Sequence, residues 1–265
     1  MKILSGKSEK PRRILLYGVH GVGKSTWAAE APSPIFLDVE DGIGDLDVTK
    51  TAHLKDYGAV LSAVSWLISN NHEFRTLVID TADWLEHLIF DEVARNDGKK
   101  NIEQIGYGKG YKIAASKWQY LLQGLEALRE KDMTIVILCH AQIKKFTPPD
   151  GDGYERYEPA LHEVGSRILQ EWCDEVLFAC FRIFTRTEDQ GFGKERKIAV
   201  GGKERLIKTS ESASVIAKNR LRLPDELPMS WSSLAEFLPK KSTGNVSGLV
   251  VNGSSKTPKE VVNNG

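Results

Sequence analysis

The sequence is poor in cysteine and contains no long apolar run. Its 265 residues include three cysteines, Cys139, Cys173 and Cys180. An odd number without a C-x-x-C pair excludes a disulfide framework and favours a reducing compartment, so we expect a cytoplasmic protein. No stretch approaches the roughly 18 consecutive apolar residues of a membrane span, and the first residues lack the apolar core of a signal peptide. We therefore expect no membrane partner.

The sequence also lacks an excess of charge of either sign. Lys plus Arg, at 36, balance Asp plus Glu, at 36, and the formal net charge is zero. A protein that binds DNA through its overall charge would be basic, so any contact with nucleic acid must use a local basic surface. A hydrophobic content of 41% with 27% charged residues excludes wholesale disorder.

Short apolar runs alternate with amphipathic stretches along most of the chain. The runs lie at residues 14–17, 35–37, 76–80 and 134–139. Continuous apolar runs of this length are typical of strands buried on both faces of a parallel sheet. Helical spacing of apolar residues between them predicts intervening helices. The sequence therefore predicts an α/β fold with a mainly parallel sheet flanked by helices.

The pattern changes in the C-terminal part of the chain. After residue 174 the apolar runs become β-rich, including one at 215–217, which predicts a C-terminal β-hairpin region. Residues 240–265 are rich in Ser, Asn, Gly and Lys. This composition predicts a flexible tail that follows a folded domain at residues 1–239.

Residues 18–25 read G-V-H-G-V-G-K-S and match the phosphate-binding motif G-x-x-x-x-G-K-[ST]. The glycines let backbone N–H groups point at phosphate oxygens. Lys24 is expected to reach the β- and γ-phosphates, and the Ser25 hydroxyl to bind Mg²⁺. ATP and Mg²⁺ are therefore the predicted ligands. The predicted nucleotide-binding residues are Gly18, Val19, His20, Gly21, Val22, Gly23, Lys24, Ser25 and Thr26.

Asp80 ends a predicted strand and is the second candidate magnesium residue. A carboxylate at a strand tip beside such a loop can hold Mg²⁺. The alternative is a surface residue that caps the following helix. The next residue is Thr81 rather than Glu, so the Asp–Glu pair of AAA+ machines and helicases is missing. The carboxylate that activates water must therefore come from elsewhere.

The sequence D-V-E-D-G at residues 38–42, at the end of the second predicted strand, resembles that of RecA-like recombinases and ring helicases. In this family the second strand ends in a D-x-E-G-like tip, one residue shorter before the glycine. The resemblance implies a RecA-like core in which Glu40 positions the attacking water. The alternative is a solvated acidic loop.

The resemblance also implies roles for two later segments. The strand at 134–139 would lie between the phosphate-loop strand and the Asp80 strand. His140 or Gln142 would then sense the γ-phosphate. We expect these two residues to alternate, so that only one of them faces the nucleotide. A buried core histidine is the alternative for His140. Lys218 and Arg220 resemble the K-x-R finger that reaches a neighbouring subunit's γ-phosphate, with a solvated basic strand as the alternative.

Two segments, 95–110 and 143–160, are too long for ordinary connections of about 4–6 residues. The resemblance places the DNA path at these segments. Cations neutralise phosphates and aromatic rings stack on bases, although both segments could instead be mobile surface loops. The candidate DNA-binding residues are Lys109, Lys112, Lys144, Lys145, Phe146, Tyr154, Arg156 and Tyr157. A third basic stretch spans residues 194–208.

The order of these motifs resembles the small phage-type RecA-like ATPases that act as single-strand annealing recombinases. The resemblance implies an Mg²⁺-ATP-dependent ATPase of recombination or replication that binds single-stranded DNA and is stimulated by it. It also implies a ring or filament with the ATP site between subunits, and a single-strand binding protein as a further partner. A ring helicase or helicase loader, a P-loop kinase and a non-hydrolysing ATP-gated module are the alternatives.

Overall fold

The computed structural model describes residues 10–149, 151–189 and 195–239, with the side chains of 184–201 excepted. The apolar runs form strands whose residues are buried on both faces; after its first residue, every residue of β1 is buried. The strands are β1 (Arg13–Gly18), β2 (Pro34–Asp38), β3 (Thr49–Lys50), β4 (Thr76–Asp80), β5 (Thr134–Phe146), β6 (Tyr154–Pro159), β7 (Glu175–Asp189), β8 (Glu195–Lys208), β9 (Lys218–Asn219) and β10 (Glu226–Pro228).

Helices connect most of the parallel strands. They are α1 (Lys24–Ala29), α2 (Tyr57–Ser69), α3 (Ala82–Asn96), α4 (Lys109–Glu130), α5 (Glu163–Trp172) and α6 (Trp231–Ala235), with a 3-10 turn at Ile102–Gln104. Side-chain caps fix where two of them begin. The Asp56 carboxylate accepts a hydrogen bond from the Ala59 N–H at 2.8 Å, and the Ser230 hydroxyl accepts one from the Ser233 N–H at 3.3 Å.

The sheet is mixed, with the order β10-β8-β7-β1-β5-β4-β2-β3. The neighbours from β7 to β3 are parallel, and β5 lies between β1 and β4 as the family resemblance implied. The C-terminal strands β8 and β10 add antiparallel to this sheet. The predicted α/β fold, with a mainly parallel sheet and a C-terminal hairpin, is confirmed.

Both faces of the sheet are covered, which explains why the strands read as continuous apolar runs. On one face, Leu15 and Tyr17 pack against α2, α3, α4 and α5. On the other, Ile14 and Leu16 pack with α1 and α6, where the rings of Trp27 and Trp231 lie 4.9 Å apart. Replacing Trp27, which is almost fully buried, with Ala would cost about 3–5 kcal/mol of folding free energy.

Two regions differ from the sequence prediction. The strand predicted at 134–139 continues to Phe146 and pairs antiparallel with β6, so most of segment 143–160 is a β-hairpin rather than a loop. Its glycines and two of its three prolines lie at the turn, and this composition concealed the two paired strands. The strand predicted at 215–217 is irregular chain with an isolated bridge from Val215 to Tyr157. The tail at 240–265 lies outside the described residues.

Among the described residues, no helix combines the length and the apolar composition needed to cross a membrane.

Candidate nucleotide site

A cleft of about 350 Å³ opens where the parallel strands end. The strand register brings Gly18 opposite His140 and Asp38 opposite Asp80. The cleft is lined by Gly21, Gly23, Lys24, Ser25, Thr26, Glu40, Gly42, Leu46, Asp80, Thr81 and His140. The carboxyl edge of the strands is where open α/β sheets bind their ligands.

The phosphate loop needs its glycines at two positions. Gly21 and Gly23 have φ angles of 71° and 95°, in the left-handed region where other residues are strained. Lys24 is 7% exposed, and its Nζ donates to the carbonyls of Gly18 and Val19 at 3.2 and 3.4 Å. Burial lowers the pKa of this lysine. A buried ammonium held by neutral carbonyls is suited to an anionic partner, as a polyphosphate would be.

Ser25 and Asp80 form the pair expected to hold Mg²⁺. The Ser25 hydroxyl donates to Asp80 Oδ2 at 2.6 Å, and Asp80 is 4% exposed. Burial raises the pKa of Asp80 to about 6, although the hydrogen bond from Ser25 opposes this. Hard oxygen donors are the ligands that Mg²⁺ takes, and a divalent cation would favour the charged carboxylate. The residues present therefore fit a magnesium ion.

Glu40 reaches the cleft from the tip of β2. The N–H groups of Val39 and Glu40 donate to the Asp80 carbonyl at 3.0 and 3.2 Å, which fixes this tip beside β4. The Thr81 hydroxyl donates to Glu40 Oε2 at 3.0 Å, and Glu40 Oε1 lies 3.8 Å from His140 Nε2. A carboxylate held in this way beside Asp80 can orient a water molecule and accept its proton.

Asp38, two residues before Glu40, points away from this arrangement. Its carboxylate accepts from Lys50 Nζ at 3.1 Å and from the Asp41 N–H at 2.9 Å. Ligand atoms of Asp38, Asp41 and His53 lie within 4.8 Å of one another. Because Lys50 already compensates the charge of Asp38, we assign this group to holding the β2 tip rather than to binding a metal.

Of the two candidate sensor residues, His140 lines the cleft and Gln142 does not. The Gln142 side chain donates to the carbonyls of Pro159 and Leu161 at 3.0 and 3.2 Å. The His140 ring stacks on His20 of the phosphate loop, with centroids 4.0 Å apart. The expectation that the two residues alternate is wrong, because side chains two positions apart on a strand lie on the same face. Gln142 misses the cleft because it lies further along β5 and is held by these two hydrogen bonds.

Asp83, at the start of α3, orients His140. Its carboxylate accepts from the His140 backbone N–H at 3.0 Å and lies 2.8 Å from Nδ1. A carboxylate only accepts hydrogen bonds, so Nδ1 carries a proton and Nε2 is directed toward Glu40. Burial alone would raise the pKa of Asp83, but the hydrogen bonds from His140 lower it to about 2.

Lys218 and Arg220 lie at the opposite edge of the sheet from the cleft. Lys218 lies in β9 and Arg220 directly follows it. Strand β9 pairs with the first residues of β7, whereas the phosphate loop begins at the far end of β1. Lys218 Nζ donates to the carbonyls of Gln170, Glu171 and Cys173 at 2.8, 3.0 and 2.7 Å, and so caps the end of α5. Arg220 Nη1 lies 3.2 Å from Asp174 Oδ1, with 54% of its side chain exposed. Neither residue reaches the cleft of its own chain.

The predicted DNA-binding residues of β5 and β6 share one hairpin. Lys144 pairs with Arg156 and Phe146 with Tyr154. The Arg156 guanidinium lies 4.1 Å from the centre of the Phe146 ring. Lys144, Lys145, Phe146 and Arg156 line a groove of about 700 Å³ together with residues of α5 and 216–218. Acidic residues also line it, among them Glu158, which pairs with Arg156 at 2.8 Å.

The start of α4, which carries Lys109 and Lys112, approaches the same hairpin. Tyr111 stacks on His162 with centroids 4.0 Å apart and planes 2° from parallel. Burial lowers the pKa of His162, and the nearby charge of Lys144 lowers it further. His162 is thus the point where the two predicted DNA segments meet.

Sequence reasoning missed Arg205, which lies against the phosphate loop from β8. Its Nη1 donates to the Val22 carbonyl at 3.4 Å. A Cβ added to Gly23 would lie 2.5 Å from the same nitrogen. The only sequence signal was the basic stretch at 194–208, and nothing in that stretch distinguishes Arg205 from its neighbours.

A family model described as an AAA domain matches residues 10–221. The match covers most of the chain and includes every described element of the cleft. It confirms the prediction of a P-loop nucleotide-binding ATPase domain. A search of curated proteins found no match.

Proposed function

We propose that this chain, which belongs to the AAA-domain family of P-loop ATPases, hydrolyses Mg²⁺-ATP in response to single-stranded DNA. Its role would be in recombination, by single-strand annealing, or in replication. The observation that carries the hydrolysis is the convergence of Lys24, the Ser25–Asp80 pair and Glu40 in one cleft. A P-loop that only held a nucleotide would have no need of a carboxylate positioned like Glu40.

Each side chain of the cleft has a distinct task in this proposal. Lys24 neutralises phosphate charge, and Ser25 and Asp80 hold Mg²⁺, which when bound stabilises charge on the phosphate oxygens. Glu40 orients a water molecule and takes its proton. Thr81 fixes one Glu40 oxygen by its hydrogen bond at 3.0 Å, which leaves Oε1 for the water.

His140 is the proposed link between the nucleotide and DNA. Its imidazole lies beside Glu40 and the phosphate loop, while its strand continues without interruption to Lys144 and Phe146. A shift of His140 on loss of the γ-phosphate would therefore be carried along β5 into the hairpin. This connection gives DNA a route by which to stimulate hydrolysis.

The proposed DNA surface is the groove beside the β5–β6 hairpin, together with the start of α4. Exposed cations there supply phosphate contacts, and Phe146 and Tyr154 supply faces for base stacking. The predicted Tyr157 does not join them, because its ring stacks on the buried Phe178 with centroids 4.9 Å apart. The acidic residues of the groove limit its net positive charge. This composition favours a single strand that is held partly by stacking over a duplex that is held by charge alone.

We also propose that the protein associates with itself in a ring or a filament, with ATP between subunits. Arg220 is half exposed and lies at the opposite edge of the sheet from its own cleft. A contact from Arg220 to the γ-phosphate would therefore have to come from a neighbouring subunit. Lys218 already caps α5, so the proposed finger consists of Arg220. A single-strand binding protein is proposed as a further partner.

The test is the rate of ATP hydrolysis with and without single-stranded DNA. We expect ADP and free phosphate as products and a higher rate with DNA. Lys24→Ala should abolish hydrolysis, while the exposed Lys55→Ala serves as the control for loss of a positive charge. Phosphate transferred to an acceptor instead of released would identify a kinase, and a rate that is unaffected by DNA would exclude the proposed coupling.

A further inference from the structure

We propose that Arg205 is a second cation of the nucleotide site and contacts the phosphates of a bound nucleoside triphosphate from within the same chain. This inference rests on nucleotide binding at the cleft, but on neither DNA binding nor self-association. It assigns a ligand-binding role to the β7–β8 hairpin, which lies outside the sequence motifs that predicted the nucleotide site.

The topology of the sheet brings Arg205 to the phosphate loop. Strand β7 runs parallel to β1, with Ala179 opposite Gly18, and β8 returns antiparallel, with Arg205 opposite Phe181. Arg205 therefore lies just beyond the end of β1, where the phosphate loop begins. Its guanidinium packs so closely on Gly23 that a Cβ there would lie 2.5 Å from Nη1.

The positive charge of Arg205 has no carboxylate partner among the ion pairs of the described residues. The two acidic side chains near it on β8 and β10, Glu204 and Glu226, pair instead with Arg182 at 2.9 and 3.0 Å. The one acceptor that Arg205 has in the loop is the neutral Val22 carbonyl at 3.4 Å, at the long end of hydrogen bonding.

A phosphate group would satisfy this guanidinium. Arginine presents five N–H donors in a planar fork that matches phosphate oxygens, and one weak bond to a carbonyl leaves most of them available. Arg205 therefore adds an exposed positive charge beside a loop whose N–H groups already favour anions.

The experiment compares two probes, inorganic tripolyphosphate and the non-hydrolysable ATP analogue AMP-PNP, by calorimetry with Mg²⁺ and without DNA. Arg205→Ala should weaken both probes by a similar factor, about 10- to 100-fold for a lost charge-assisted hydrogen bond. Arg205→Lys should recover part of the loss. Lys203→Ala is the matched control, because Lys203 is an exposed cation two residues away on β8.

Three outcomes would overturn the proposal. Unchanged affinity for both probes would mean that the guanidinium contacts no ligand. Loss of AMP-PNP binding alone would place it on the base or ribose. Equal losses accompanied by a lower melting temperature of the ligand-free protein would make Arg205 a brace for the loop. If neither the wild-type protein nor Lys24→Ala binds either probe, the proposal that the cleft binds a nucleotide is wrong, and this outcome is distinct from the three above.

Discussion

Asp83 holds His140 by two hydrogen bonds, one to its backbone N–H at 3.0 Å and one to Nδ1 at 2.8 Å. Together they fix the middle of β5 to the start of α3 and set the tautomer of the imidazole. His140 in turn stacks on His20 of the phosphate loop and faces Glu40. The loop, the proposed base and the strand that leads to the hairpin are thus connected through one oriented ring.

Asp83→Asn should lower kcat and leave the KM for ATP nearly unchanged. The two hydrogen bonds use different oxygens of Asp83, and in Asn one of these positions becomes an NH2 donor, so both donors of His140 can no longer be accepted in this geometry and the ring loses its fixed orientation. The measurement is steady-state hydrolysis with and without DNA, where stimulation by DNA should fall more than the basal rate. Asp91→Asn, an exposed carboxylate later on α3, is the control. Equal losses of basal and stimulated rates would show that Asp83 does not act through His140.

Glu40→Gln should retain ATP and lose turnover, whereas Lys24→Ala should lose productive binding. Lys24 neutralises phosphate charge, and Glu40 acts on the attacking water, where general-base catalysis contributes about 10²–10⁴-fold. Nucleotide affinity and single-turnover hydrolysis separate the two effects. Asp45→Asn, in the same acidic segment, should leave both unchanged. Wild-type turnover in Glu40→Gln would remove its assignment as the base.

Relative to the wild type, Glu86→Gln should become progressively more stable as the pH rises from 5 to 8. Burial raises the pKa of Glu86 to about 7, above its value of about 4.3 in an unfolded chain. The wild-type folded state binds the extra proton, so its contribution to stability is present at low pH and is lost as the pH rises through 7. Gln keeps an acceptor for the His162 N–H, which donates to Glu86 Oε2 at 2.6 Å. The measurement is the unfolding free energy of both proteins as a function of pH. If Glu86 is ionised over the whole range from pH 5 to 8, the difference between the two proteins will not change with pH.

Replacing Lys144 and Lys145 with Ala should weaken single-strand binding equally for all sequences. Phosphate contacts carry no base information, and losing both should lower the salt slope by roughly two at most. Fluorescence anisotropy at several salt concentrations provides the measurement, with Lys55→Ala as control. Affinity for ATP without DNA should not change. An unaltered slope would move the DNA site to the basic stretch at 194–208.

Arg220→Ala should keep ATP binding and the fold but lose DNA-stimulated hydrolysis, by about 10³–10⁵ if it acts as a finger. A residue acting on a neighbour has a signature that a residue acting on its own site lacks. Mixing Arg220→Ala with Glu40→Gln should restore activity, because some interfaces then pair an intact cleft with an intact finger. If light scattering shows co-assembly and the mixture stays inactive, Arg220 only pairs with Asp174.

The β5–β6 hairpin and Lys218 show where prediction from sequence failed. Segment 143–160 is rich in Gly, Pro and Lys and was predicted as a loop, yet its arms pair over six residues on each side, from Ala141 to Phe146 and from Tyr154 to Pro159. Cross-strand contacts stabilise such a hairpin, and they are invisible in either arm alone. Likewise, K-x-R reads the same whether a lysine caps a helix of its own chain or reaches another subunit.

The sequence alone determined the phosphate loop, the buried strands and the α/β class, because each depends on spacing within one contiguous stretch. The two-residue spacing of His140 and Gln142 puts both on one face of the strand, so only the packing of the strand, with Gln142 bonded to Pro159 and Leu161, decided that His140 lines the cleft. The contacts of Asp83 with His140 and of Arg205 with Val22 join residues separated by 57 and 183 positions. Such contacts leave no local pattern, because they form only when the register of the sheet and the packing of its helices bring distant segments together.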